Sequence, residues 1–234
     1  MATPEIAAVP STHPSVLLAL FPDALLPPHT GKFAAARGWR PVTCSDTQVE
    51  VKKLATLELA WAVWALRERG SIVLAPMQKS QGVLFFKRSY PTLGVHRTGG
   101  GAAEGVESQL LEAMPTNPDG SDVADIVYRW LGQDFAGPFH EVADRVERHG
   151  RAPGYFEAVD THEGTVGRLL GRAKTRLEPC CDVIAAARSG FDQCLARWLQ
   201  FASSEPDMHR DLLAACERGI SNRKRDDSDY GSID

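Results

Sequence analysis

The residues best suited to chemistry are few, and most are basic or glycine. Gly99, Gly100 and Gly101 follow Arg97 and precede a run that reads as a helix. A glycine-rich loop that opens a helix can aim free backbone amides at an anion. The phosphate-loop pattern requires a Gly-Lys-Ser/Thr ending, which is absent, and no Gly-x-Gly-x-x-Gly follows a long buried strand. A plain flexible connector is therefore the default, with an anion contact at Arg97 and the glycines as the sharper reading. Arg168, Arg172 and Arg176 recur every four residues, with Lys174 off that line. On a helix they would form one basic stripe able to meet phosphate groups. Glu163 and Glu178 at the ends of the segment favour an ordinary solvated face. Lys87 and Arg88 make a small basic surface beside a predicted strand.

Other constellations fall short of a reaction. His140-Glu141-Val142-Ala143-Asp144 places His140 and Asp144 at the i and i+4 positions where a zincin helix carries two histidines. The second ligand is the wrong type and no third is placed, so no metal is assigned. Cys180 and Cys181 are adjacent and do not make a Cys-x-x-Cys knuckle. With Cys194 and Cys216 they read as small buried hydrophobes. No Gly-x-Ser-x-Gly elbow occurs. Asp226 and Asp227 lie in a polar tail that would not shift their pKa values. No catalytic residue, metal or cofactor is assigned, and a non-enzymatic protein is expected.

The element that must position everything else is a helix between Gln48 and Gly70. Leu54, Leu57, Trp61 and Trp64 form one apolar stripe, and Leu59, Val63 and Leu66 a second. Only Glu58 interrupts the apolar run between Leu57 and Leu66. Such a helix must be covered by other elements, with the two indoles under neighbouring helices. Ser45 or Asp46 is the expected N-cap and Gly70 the stop. Strands are expected at Ile72–Leu74, at Val83–Phe86 and at Thr92–Arg97, with a turn from Pro76 to Gly82. This helix-and-hairpin order also fits a winged-helix unit.

The remaining pattern is helical. Met1 to Pro14 reads as a disordered arm and Ser15 to Leu26 as a short helix. Helices are predicted over Glu104–Met114, from Ser121 or Asp122 to Leu131, Phe139–His149, Thr161–Leu177, Pro179–Phe201 and Pro206–Arg218. Residues 222–234 form a charged tail, read as unstructured. The expected architecture is mostly α with a small β-hairpin or three-stranded sheet. Residues 15–221 would make one domain, with a helix-hairpin part over 15–100 and a helical part over 101–221.

Composition sets the outer limits. The 234 residues carry a net charge of −4, which argues against bulk nucleic-acid affinity. Five cysteines at irregular spacing suggest reduced thiols in a cytosol rather than a secreted framework. No apolar run reaches the roughly 20 residues needed to span a bilayer. A cytoplasmic location, with peripheral membrane contact, is expected.

Leu59 to Leu74, reading LAWAVWALRERGSIVL, resembles the apolar helix, Arg-Gly stop and strand of the Golgi phosphoprotein 3-like family. Asp125 to His149, with Tyr-Arg-Trp-Leu and Gly-Pro-Phe, is similar to the family's following helices. Pro206 to Ala214 is similar to a late helix. The resemblance covers about half the chain in short pieces. It implies a mostly helical fold and an adaptor that docks on phosphoinositide headgroups. The tryptophan and arginine that precede and open the central helix in eukaryotic members are replaced by Glu50 and by Leu59 or Ala60. The expected partner is an anionic membrane surface or another protein, and the alternative is a DNA-binding regulator of winged-helix type.

Overall fold

Residues 13–30, 38–81, 88–99, 103–115, 121–161 and 174–224 are described by the structure, a computed structural model. The elements in order are α1 (Pro14–Leu20), a 3-10 turn (Pro22–Ala24), β1 (Trp39–Pro41), β2 (Gln48–Glu50), α2 (Val51–Glu68), β3 (Ile72–Gln81) and β4 (Arg88–Arg97). There follow α3 (Gly105–Ala113), α4 (Val123–Leu131), α5 (Pro138–His149), β5 (Phe156–Thr161), β6 (Lys174–Pro179), α6 (Cys181–Ala186), α7 (Arg188–Ser204) and α8 (Pro206–Ser221). The strands pair as three antiparallel two-stranded hairpins, β1–β2, β3–β4 and β5–β6. The fold is mostly α, of α+β class.

The central helix is where the sequence places it. α2 packs against α1, α3, α5 and α8, so its apolar surface is covered on several sides. Trp61 is 0% exposed and Trp64 2%. Trp61 stacks on Phe191 at 5.9 Å and lies 5.7 Å from Trp198, which meets Trp64 edge-on at 5.6 Å. Aromatic pairs at these spacings add about 0.5–1.5 kcal/mol each beyond the area they bury. This cluster fastens α7 to α2. Gly70 takes φ +69° just after the helix, as expected of a stop.

Local competition corrects several expectations. Neither Ser45 nor Asp46 caps α2, whose N-cap residue is Glu50; the Ser45 and Thr47 hydroxyls bond each other at 2.9 Å in the β1–β2 turn. β2 runs directly into the helix, and the Val51 N–H donates to the Gly38 carbonyl. Thr92–Arg97 is not a third strand but the second half of β4, paired from Arg88↔Gln81 to Arg97↔Ile72. Val83–Phe86 and Lys87 lie outside the described residues. Thr161–Leu177 is not one helix, because its two ends belong to the β5–β6 hairpin. Lys174, Arg176 and Glu178 alternate with Thr175, Leu177 and Pro179, a period of two. Residues 162–173 lie outside the described set. The predicted Pro179–Phe201 helix is two helices that meet at Ala187. His13 and Pro14, assigned to the arm, are buried at the start of α1.

The cysteines also differ from expectation. Cys44, in the β1–β2 turn, is disulfide-bonded to Cys181, the first residue of α6. Cys180, Cys194 and Cys216 are free, and of these Cys216 is fully buried.

Candidate anion-binding site

α2 and α5 both begin at one surface cleft of about 480 Å³. Its lining includes Trp39 of β1, Lys52 of α2, Gly137, Phe139 and His140 at the start of α5, and Lys224 just beyond α8. Neither helix has a side-chain N-cap. Gly137 offers none, and Pro138 occupies the first helical position, where its missing N–H costs nothing. The amides of Phe139 and His140 therefore have no partner within the helix, and neither do those of Lys52 and Lys53. Two such ends place partial positive charge at one place.

The cationic side chains are held there by packing. Lys52 Nζ lies 5.9 Å from the Phe139 ring and 2.6 Å from Glu217 of α8. Lys53 pairs with Glu50 at 2.8 Å. Each pair is half exposed, worth at most about 1 kcal/mol, and so exchangeable for a multiply charged ligand. Lys224 is drawn to the cleft by main-chain pairing. The Phe135 N–H donates to the Arg223 carbonyl at 2.8 Å, and Phe135 and Lys224 form a parallel bridge. Arg223 reinforces this by lying 3.4 Å from the centre of the Tyr128 ring. Among the described residues Lys224 has no carboxylate partner. The Trp39 indole is half-buried, with His29 4.8 Å away on it.

The residues singled out in the sequence lie elsewhere. Arg97 and Gly99 sit where β4 ends beside the C-terminus of α2, with the Thr98 N–H donating to the Ser71 carbonyl at 3.1 Å. An 18-residue helix is about 27 Å long, so that joint and the cleft are at opposite ends of α2. Gly99 has φ +82°, whereas Gly100 and Gly101 lie outside the described residues. α3 opens at Gly105 with Glu104 as its N-cap residue rather than at the glycine triplet. Arg176 is paired in register with Val159 on β6, and Arg168 and Arg172 are outside the described set. Arg88 opens β4 opposite Gln81. His140 lines the cleft. Among the described residues no group of His, Cys, Asp and Glu could hold a metal. The cleft's signal in the sequence was a helix start lacking any Ser, Thr, Asp or Asn cap at Gly137-Pro138, together with Lys52-Lys53 at another start.

Two buried acids stand apart from the cleft. Glu58, on the buried side of α2, is 1% exposed and its Oε2 has no partner. Burial pushes its pKa from about 4.5 up to about 8, with Arg40 pulling it down and Asp144 up. Arg40 spends its guanidinium on Asp144, at 2.6 Å, and on Glu147. Glu58, Arg40 and Glu147 line a cavity of about 40 Å³, room for a water and little more. Glu107, 0% exposed, accepts from the Ser15 hydroxyl at 3.2 Å and lies 3.7 Å from His13. Burial raises its pKa to about 6, against the pull of its backbone bond, Arg69 and Ser15. The cavity beside Glu58 is too small for a substrate.

No family model, curated protein or solved structure matches the chain.

Proposed function

We propose that the protein is a non-enzymatic binding protein that takes a phosphorylated, anionic headgroup into the cleft between the starts of α2 and α5. The observation that carries this reading is the meeting of two uncapped helix N-termini with Lys52 and Lys224 at one cleft. A phosphate there would accept from backbone amides and replace the weak carboxylate partners of the lysines. Trp39 and Phe139 give the same cleft an apolar wall. Attachment to a membrane would be peripheral, since no described helix is long and apolar enough to cross one. The Cys44–Cys181 bond favours a compartment less reducing than the cytosol. Burial of α2 weighs against the DNA-binding alternative, since a recognition helix must present a polar face to a groove.

Co-sedimentation with phosphatidylcholine vesicles, with and without phosphorylated phosphatidylinositol, tests the reading. Binding should require the phosphorylated lipid and weaken as salt rises. At roughly 1 kcal/mol per lysine near a charged surface, the double variant Lys52→Gln with Lys224→Gln should lose at least about tenfold in affinity. Absence of binding at any salt, or equal binding by the double variant, would overturn the proposal.

A further inference from the structure

A second cleft, of about 330 Å³, adjoins the first. Leu26, Leu57 and Leu213 form its walls together with Thr56. Glu50 and Lys52 line both clefts, and Lys53 and Glu217 complete the rim of the second. The Lys52–Glu217 ion pair marks the boundary between them. One side is therefore cationic and rich in free amides, the other is walled by leucines, and they meet at a single charged pair. Leu57 and Leu213 are half-buried and pack on the core from their inner sides. A concave apolar surface with a few polar groups at its rim is the usual form of a small-molecule site.

We infer that the two clefts together bind one anionic amphiphile, with its phosphate at the helix N-termini and a single acyl chain along Leu26, Leu57 and Leu213. This rests on the headgroup reading above and specifies the ligand class for the same site. Volume limits the chain. A water occupies about 30 Å³, a methylene is of similar size, and the second cleft thus holds roughly ten carbons. Two chains would not fit, so the cleft takes a single chain: a lysophospholipid enters with its chain, whereas a two-chain lipid in a vesicle engages the helix N-termini by its headgroup alone.

Calorimetric titration of the full chain tests this with three phosphate probes below their micelle concentrations: glycerol phosphate, its hexanoyl ester and its decanoyl ester. Full burial of a methylene is worth about fourfold in affinity, and partial burial in an open cleft about twofold. The decanoyl ester should therefore bind at least about tenfold tighter than the hexanoyl ester. Leu213→Gln should remove most of that gain while leaving glycerol phosphate binding unchanged. Equal affinity for all three probes would overturn the acyl-chain inference and leave the headgroup reading intact. Uncharged decanoyl glycerol binding as tightly as the phosphate ester would also overturn it. No binding of any phosphate probe would remove both readings. The chain-length series uses the unaltered protein, so it decides the matter even if Leu213→Gln fails to fold.

Discussion

Glu58 offers the sharpest test of the folded interior. Its carboxyl is buried on α2, and its pKa rises from about 4.5 to about 8. The folded chain therefore keeps a proton that the unfolded chain releases across that window. Stability must fall as pH rises between those values, which is the reverse of the usual salt-bridged acid. At about 1.4 kcal/mol per pH unit, the penalty is on the order of 5 kcal/mol above pH 8 and roughly 3 kcal/mol at neutral pH. These are upper values, because a water in the neighbouring cavity would ease the burial of charge. Glu58→Gln keeps the shape and removes the titration. Relative to the parent chain it should gain about 3 kcal/mol between about pH 5 and 7.5, seen as a rise of about 1 M in the difference between their urea midpoints. Midpoints that run parallel through that range would show that Glu58 is solvated or ion-paired, and the burial argument would fail.

Two further substitutions probe how α4 is held. Gly219 of α8 faces α4 so closely that an added Cβ would lie 2.6 Å from the Ala124 carbonyl and 2.7 Å from Val127. Overpacking of that kind costs about 1–3 kcal/mol, against a helix-propensity gain of about 1 kcal/mol. Gly219→Ala should therefore lower the thermal midpoint, and an unchanged or higher midpoint would refute the tight contact. Asp122 caps α4 by accepting from the Asp125 N–H at 2.9 Å, and it accepts from the Thr92 hydroxyl at 2.7 Å. Asp122→Ala should cost about 2–4 kcal/mol in denaturant titration, the lost cap adding to a stranded buried hydroxyl; a cost under about 0.5 kcal/mol would show the cap to be idle.

What the sequence disclosed follows from which signals are local. The α2 stripes, the Gly70 stop and the Asp122 cap are read within one or two turns, and the chain obeys them. The start of α2 lies later than Ser45 and Asp46 suggest, because they are good cap types while β2 pairs with β1 residues seven to eleven positions away. Arginine spacing at 168, 172 and 176 imitates a helix face, yet the alternation from Lys174 to Pro179 governs the strand end of that segment. The cleft was the least legible feature. Its parts come from β1, α2, α5 and Lys224 beyond α8, and its main signal is missing caps, visible only once two helix starts are seen together.

The bond between Cys44 and Cys181 turns most of the chain into a covalent ring that contains α2 through β6. α1 precedes the ring, and α7 and α8 follow it; α1 and α8 pack on α2 and α5 inside the ring, and α7 meets α2 through Trp198. Closing a loop of this length removes about 5 kcal/mol of freedom from the unfolded chain in the chain-entropy description. A protease that severs one peptide inside the ring would leave both pieces tethered, and the nick would be invisible on a gel until a reductant is added.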